Sequence, residues 1–332
     1  MCKGTIRASL IVSCVALAML ATTSVIAYCA GRSIDTELRF LTPGRAPTPE
    51  EASVIYPIEY ALHTTERNDV ILIGDSTCRH DVDPALMGMP AYNLGVMGMT
   101  GPQVDLVTLR TYLARHPSPK AVVLCISAYA FEQGNNCPEA KGVGERFVKN
   151  YASVADAVSF SAVPLLIQRG AASVGQSATN GPDVRDLPFL DARIKGETFR
   201  TLQAKLRDAR GYWRLPEPSP NAAYVPPWSG EPVVISTDWS LALRDLGALC
   251  KSCGAMLLVR VTPMRPDMRT AKDWMPAVEW LRATHGPKVC EPILTFYEPA
   301  LCWDHLHLNR AGVEKFTAAV AKDVQAALRD VR

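Results

Sequence analysis

The chain has 332 residues, a formal net charge of +2 and 20% charged residues, which is an ordinary composition for a globular protein. Nucleic-acid binding is not expected, because the charge is close to neutral and no basic run is interleaved with aromatic residues. The length is sufficient for one large domain or two small ones.

The first apolar segment is long enough to cross a membrane. Residues 8–30 carry no charge and follow Lys3 and Arg7. At ~1.5 Å per helical residue, such a segment spans a hydrocarbon core of about 30 Å. We therefore predict that residues 1–31 form a transmembrane anchor or a signal segment. A single N-terminal segment of this kind usually directs export. We expect a single-pass protein of the cell membrane with its soluble domain outside the cytoplasm, either periplasmic or otherwise extracytoplasmic.

Residues 32–52 are polar with three prolines, which indicates a linker. In residues 53–332, apolar runs alternate with helical patterns. Strands are predicted at 70–73, 91–94, 121–126, 255–261 and 293–296, and helices at 103–115, 237–250, 273–284 and 309–328. The alternation predicts a three-layer α/β/α sandwich with a mainly parallel, flavodoxin-like sheet, interrupted by an irregular insertion at about 132–235.

Two polar motifs supply the parts for acyl transfer. Residues 71–76 read Ile-Leu-Ile-Gly-Asp-Ser, so that a predicted strand ends on a turn containing Ser76. Residues 304–307 read Asp-His-Leu-His, directly ahead of the last predicted helix. Ser76 as nucleophile, His307 as base and Asp304 as the acid that orients the base would form a serine catalytic triad. His305 is the alternative base, but Asp304 has the better spacing for His307.

A purely structural role is the alternative interpretation for residues at both motifs and near them. Gly-Asp-Ser is a good turn sequence, and Asp75 is expected to bond backbone within that turn. Arg79 and Asn93 are the candidate substrate-binding residues. For Asn93 the alternative is that its side chain closes the following loop by bonding backbone.

Ten cysteines are present, and in an exported domain disulfides are allowed. Cys290 and Cys302 bracket the predicted strand at 293–296 and are a candidate pair. Cys250 and Cys253 have the spacing of a redox or zinc motif, but no second pair and no nearby His accompany them. We therefore predict no metal site.

These motifs resemble those of the SGNH/GDSL hydrolase superfamily, over roughly residues 70–131 and 255–329. The turn at 74–76 is similar to its first block, residues 93–100 to its second, and Asp304 to His307 to its fifth block, Asp-x-x-His. The resemblance implies an SGNH-like α/β/α domain at 53–332. It also implies that the backbone N–H groups of Ser76 and Gly98 hold the oxyanion.

This sequence departs from the family at the third block. The family has an Asn after the central strand, whereas Tyr129 stands at that position here. Ser127 or Tyr129 is the candidate replacement donor in the oxyanion hole. The loss of one such donor can cost ~10²–10³ in rate.

The membrane segment, the insertion and this departure are similar to envelope-associated members of the superfamily, which occur beside membrane-bound O-acyltransferases. The resemblance implies a serine esterase or O-acyltransferase that acts on an acylated cell-envelope glycan, or a similar ester, through acyl-Ser76. A membrane-bound O-acyltransferase is the implied partner, and no cofactor is required. The alternative is a non-catalytic accessory protein that binds acylated polymer or such a membrane partner.

Overall fold

The computed structural model describes residues 49–96, 100–132, 142–148, 205–215 and 230–330. Five strands form one parallel sheet: β1 Val70–Gly74, β2 Ala91–Asn93, β3 Ala121–Ile126, β4 Met256–Val261 and β5 Lys288–Val289. The strand order is β2-β1-β3-β4-β5, the order of flavodoxin-like sheets. The predicted α/β fold with a parallel sheet is therefore confirmed. In this order the chain reverses its direction across the sheet between β1 and β3, which is where such folds bind ligands.

Helices accompany the sheet: α1 Pro49–His63, α2 Ser76–Asp81, α3 Pro102–Leu113, α4 Thr237–Ser252, α5 Met268–Ala271, α6 Met275–Ala283 and α7 Arg310–Arg329. Further short helical segments lie at 142–148 and 205–208. The four predicted helices correspond to α3, α4, α6 and α7, with ends shifted by a residue or two. Asn309 caps α7 as predicted, because its side chain accepts a hydrogen bond from the Gly312 N–H.

Helices cover both faces of the sheet, because successive strand residues point to opposite sides. Ile71, Val122 and Leu124 pack in one core with side chains of α3 and α4. Leu72 and Val123 pack in a second core on the other face with the apolar stripe of α7, formed by Val313, Phe316, Val320 and Val324. The layers therefore follow from period-two alternation in the strands and helical periodicity in α7.

The predicted strand at 293–296 is wrong. The fifth strand is Lys288–Val289, which pairs with β4, and in the predicted range only Phe296 makes a bridge, with Met264. Pairing ends early because Pro292 has no N–H to donate and the Ile293 N–H is taken by the Glu291 carboxylate at 3.1 Å. The apolar run at 293–296 reflects packing rather than a strand.

Helix α1 begins at Pro49 and so overlaps the end of the predicted linker at 32–52. Glu51 is fully buried and accepts a hydrogen bond from Arg146 at 2.6 Å. The linker prediction fails for residues 49–52 because composition cannot show that a carboxylate is paired inside the protein. The predicted membrane segment at 1–31 lies outside the described residues. So does the rest of the linker and most of the predicted insertion.

Among the residues that the structure describes, no helix combines the length and the apolar character needed to cross a membrane.

We expect Gly74→Ala to destabilise the fold strongly. Gly74 has a φ of +138°, and a Cβ added there would lie 1.8 Å from the carbonyl oxygen of Cys125 on the neighbouring strand. Backbone strain and overlap together should lower the free energy of unfolding by about 3 kcal/mol or more. Urea denaturation of the full-length protein measures this.

The matched control is Gly88→Ala. Gly88 also has a positive φ, +68°, but nothing lies within 4 Å of its added Cβ. In Gly88→Ala, backbone strain alone should lower the free energy of unfolding by about 1–2 kcal/mol. Equal losses in the two variants would contradict the role of the Cys125 contact.

Candidate active site

Ser76 lies at the carboxyl edge of the sheet, at the reversal point between β1 and β3. It is the first residue of α2, and Asp75 caps that helix by accepting a hydrogen bond from the Thr77 N–H at 2.9 Å. Behind the turn, the Gly74 N–H donates to Asp105 Oδ1 at 3.1 Å. As predicted, Asp75 bonds backbone within its own turn, and the capped turn fixes the direction in which Ser76 leaves the strand.

The second oxygen of Asp75 joins this turn to the next strand. Asp75 Oδ2 accepts hydrogen bonds from Ser127 N–H at 3.1 Å and from Ser127 Oγ at 2.8 Å. Thr262, which directly follows β4, donates to Thr77 Oγ1 at 3.0 Å. The carboxyl ends of three neighbouring strands are therefore held together directly behind Ser76.

His307 and Asp304 meet Ser76 although 231 residues separate the serine from the histidine. His307 Nε2 lies 3.0 Å from Ser76 Oγ, and His307 Nδ1 lies 2.9 Å from Asp304 Oδ2. A carboxylate only accepts, so Nδ1 carries a proton and Nε2 of the neutral ring can accept the serine proton. The structure thus brings together the three residues predicted from the two motifs. His307, rather than His305, makes the contact with the serine.

The carboxylate of Asp304 is held by backbone as well as by the imidazole. Its Oδ1 accepts hydrogen bonds from the Leu306 and His307 N–H groups, both at 2.7 Å. Burial raises the pKa of Asp304, whereas the hydrogen bonds from His307 and from these N–H groups lower it. The lowering is the larger effect, so the pKa of Asp304 lies well below its usual range. Asp304 is therefore ionised at neutral pH.

Three carboxyl groups act on the imidazole of His307. Burial lowers the pKa of His307, but the hydrogen bond and charge of Asp304, with the charges of Asp81 and Asp75, raise it to about 9. At neutral pH the resting ring then carries a second proton, and its Nε2–H donates to Ser76 Oγ. The neutral form, which can accept the serine proton, increases as the pH rises.

Asp81 is a functional candidate that the sequence analysis missed. It is the last residue of α2 and is fully buried, and its Oδ1 accepts a hydrogen bond from the Leu308 N–H at 2.9 Å. Leu308 directly follows His307, so the helix that begins with Ser76 ends with a residue that holds the backbone beside His307. The sequence signal for Asp81 was weak: an acidic residue five positions after Ser76, in the segment that follows the first strand.

His80, which follows Arg79 in α2, is a second histidine beside His307. The two rings meet edge to face with centroids 5.5 Å apart. His80 Nδ1 lies 2.6 Å from the carbonyl oxygen of Trp213, so this nitrogen carries a proton and donates. Residues 205–215 thus pack against the helix that carries Ser76.

Only part of the predicted oxyanion hole lies within the described residues. The Ser76 N–H makes no hydrogen bond to the described residues and can therefore donate to an oxyanion. The proposed alternative Ser127 is wrong, because both its N–H and its hydroxyl already donate to Asp75. Tyr129 lies in the turn directly after β3, and burial, with the nearby Glu132, raises the pKa of its phenol. It therefore stays protonated as a donor at neutral pH. Gly98 lies outside the described residues.

Substrate binding by Arg79 would require its side chain to face a cleft, but the side chain is buried. Only 1% of it is exposed, and its Nη1 donates to the Ser53 carbonyl oxygen at 3.1 Å. Its guanidinium carbon lies 5.9 Å from the ring centroid of Tyr56 and 5.4 Å from that of Trp213. Arg79 therefore joins α2 to α1 and to residues 205–215. Its sequence position could not show this burial.

Asn93 closes the loop after β2, so its prediction as a substrate-binding residue is also wrong. Its Nδ2 donates to the carbonyl oxygens of Cys78 at 2.7 Å and Val82 at 3.0 Å, and its Oδ1 accepts from the Gly95 N–H at 2.8 Å. The amide is 2% exposed, and its hydrogen bonds are used within the fold. Asn93 therefore has the structural role given as the alternative, in which its side chain closes the loop by bonding backbone.

The predicted disulfide does not form, because Cys290 and Cys302 are both buried free thiols. The Cys302 thiol instead donates to the Tyr297 carbonyl oxygen at 3.5 Å. Within the ranges that the structure describes, no group of three or more His, Cys, Asp or Glu side chains could hold a metal ion.

The arrangement of Ser76, His307 and Asp304 is chemically able to form and break an acyl-serine ester. No protein-family model matches this chain, and no curated protein matches it. The functional interpretation therefore depends on the geometry of the site and on the motifs in the sequence.

The charge environment of His307 predicts a pH dependence. We expect the rate at which Ser76 reacts with a fluorophosphonate to rise with pH, with a midpoint near the His307 pKa of about 9, because only the neutral ring accepts the serine proton. Asp304→Asn removes one negative charge and should lower both the midpoint and the maximal rate, the latter by ~10³–10⁴. His305→Gln is the control, and its midpoint should stay near that of the unmodified protein. An unchanged midpoint in Asp304→Asn would contradict this account.

Asp81 should position the base. Asp81→Leu removes the acceptor for the Leu308 N–H. We expect it to slow fluorophosphonate labelling ~10²-fold, since a displacement of about 1 Å can have that effect. Asp81→Asn keeps the shape and an oxygen acceptor, so its labelling should stay within about tenfold of the unmodified rate. Labelling of folded Asp81→Leu at the unmodified rate would exclude the positioning role.

Proposed function

We propose that this protein is an SGNH-type serine esterase or O-acyltransferase that acts through an acyl-Ser76 intermediate. The observation that carries the proposal is the pair of contacts at His307, 3.0 Å to Ser76 Oγ and 2.9 Å to Asp304 Oδ2. Two further observations support it. The three side chains lie outside the carboxyl ends of the strands, at the reversal of strand order. They also occupy positions that match blocks one and five of the family motif.

The first half-reaction forms the acyl-enzyme. Neutral His307 Nε2 takes the proton of Ser76 Oγ while that oxygen attacks the ester carbonyl carbon. The resulting oxyanion accepts a hydrogen bond from the Ser76 N–H. His307 then returns the proton to the leaving alcohol oxygen as the carbon–oxygen bond of the substrate breaks. Asp304 stabilises the imidazolium that exists between these two proton transfers.

The second half-reaction releases the acyl group. Water or a sugar hydroxyl loses its proton to His307 Nε2 as its oxygen attacks the acyl carbon. The proton then passes to Ser76 Oγ as the serine ester bond breaks. Water gives net hydrolysis, whereas a hydroxyl of a polymer gives O-acyl transfer.

The substrate class follows from the resemblance to envelope-associated members of the superfamily and from the apolar segment at 8–30. We propose an acylated cell-envelope glycan or similar ester, handled outside the cytoplasm by a protein attached to the membrane through that segment. A membrane-bound O-acyltransferase is the proposed partner, because it would supply or receive the acyl group.

A non-catalytic accessory protein is the second candidate. It is favoured by Tyr129, which replaces the family's Asn, and by the engagement of both Ser127 donors with Asp75. Such a protein would bind acylated polymer or a membrane acyltransferase without forming a covalent intermediate.

Covalent labelling separates the two candidates. We expect a fluorophosphonate to react with the full-length protein at Ser76, identified by mass spectrometry of the labelled peptide. Ser76→Ala should not be labelled, and His307→Gln should react at least about 10²-fold more slowly because it lacks the base. His305→Gln is the matched control at the neighbouring histidine and should react normally.

Either of two results would favour the accessory protein: a folded protein that the probe does not label, or equal labelling of Ser76→Ala. If Ser76 is labelled, an acetyl ester supplied with and without a glycan acceptor distinguishes the two reactions. Acetate released to water identifies hydrolysis, and acetylated glycan identifies transfer.

A further inference from the structure

A cavity of about 250 Å³ lies between α1, the loop that follows it, the edge strand β2 and residues 206–207. Neither Ser76 nor Asp304 nor His307 lines it. Six of the lining residues carry aromatic or charged side chains: Tyr56, Glu59, Tyr60, Glu66, Tyr92 and Arg207. Tyrosine and carboxylate side chains therefore make up most of the cavity lining.

Tyr92 lines this cavity, and its hydroxyl has no partner among the described residues. The residue is only 5% exposed, yet its Oη makes no hydrogen bond to the residues that the structure describes. By contrast, Tyr60 Oη accepts a hydrogen bond from Asn68 at 2.7 Å and donates to Glu66 at 3.2 Å. Tyr92 Oη is not among the buried oxygens without a partner, so it is open to solvent and can donate to, or accept from, a ligand in the cavity.

The orientation of the rings excludes an aromatic cage for a cation. Tyr60 and Tyr92 stack on each other with centroids 3.3 Å apart and planes inclined by 11°. Their facing sides are therefore occupied, whereas cation binding in a cage requires several open ring faces. What these two tyrosines can present to a ligand is mainly hydrogen-bonding edges.

The charges at the cavity suit a neutral ligand that both donates and accepts hydrogen bonds. Glu59 and Glu66 are acceptors, and Arg207 is a donor. A sugar hydroxyl can donate to a carboxylate and accept from a guanidinium or a phenol. The volume is just below the usual range of small-molecule sites, about 300–1,000 Å³, which fits one sugar ring.

We propose that this cavity binds one neutral sugar unit, at a site separate from the catalytic serine. The assignment of that unit to the acyl-bearing glycan rests on the proposed function. The cavity wall is joined to the nucleophile helix, because Arg79 of α2 lies over the ring of Tyr56. Asn93, which follows Tyr92, bonds two carbonyl groups of the α2 segment. A polymer held here would keep a fixed position relative to Ser76.

Ligand-observed saturation-transfer NMR on the full-length protein tests the proposal, with glucose, galactose and N-acetylglucosamine as separate probes. We expect ring protons of at least one sugar to receive saturation at about 1–20 mM, the range for a weak single-ring ligand. Tyr92→Phe should weaken that binding about three- to tenfold, the effect of one hydrogen bond. Its melting temperature should not change, because the removed hydroxyl has no protein partner.

Two variants control for site and fold. Glu66→Gln, on the exposed rim, should also weaken binding, whereas Tyr297→Phe, in the core on the other face of the sheet, should not. Ser76→Ala should bind the sugar as the unmodified protein does. The proposal is overturned if no probe receives saturation, if Tyr92→Phe binds normally, or if Ser76→Ala loses binding.

The experiment also separates this proposal from the proposed function. A protein that the fluorophosphonate labels at Ser76 but that binds none of the sugars retains the ester chemistry and lacks this site. A protein that binds sugar at Tyr92 but is not labelled retains this site and lacks the ester chemistry.

Discussion

The carboxylate of Asp75 is the contact on which the geometry of the site depends. One of its oxygens caps the helix that begins with Ser76, and the other holds Ser127 at the end of β3. The carboxylate of Asp75 therefore sets both the direction in which Ser76 leaves β1 and the position of the end of β3. Hydrogen bonds to a carboxylate are stronger than those between neutral groups, so Asp75 holds the turn firmly against the end of β3.

The short helix after Asp75 extends this constraint to the base. It begins with Ser76 and ends with Asp81, whose carboxyl group holds the backbone directly after His307. Ser76 and the backbone that follows His307 are thus held at opposite ends of the same helix. The charges of Asp304 and Asp75 also raise the pKa of the imidazole and so stabilise its protonated form.

The same helix explains why residues near the nucleophile were misassigned. Arg79 lies three residues after Ser76 in the sequence, but a helix turns its side chain toward Tyr56 and Trp213. Ser127 follows the central strand as an oxyanion donor would, but both of its donors are used by Asp75. Position along the chain predicts which residues are near the site, whereas hydrogen-bond partners decide which donors remain available.

The sequence by itself determined the parallel α/β sheet, the main helices and the three residues of the candidate triad. Each of these leaves a local signal: an apolar run, a helical period, or a short motif such as Asp304 to His307. Only the tertiary structure decided the start of α1, the position of β5, the role of Asp81 and the cavity at Tyr92. Those features depend on contacts between distant segments, and burial and hydrogen-bond satisfaction arise only when such segments pack together.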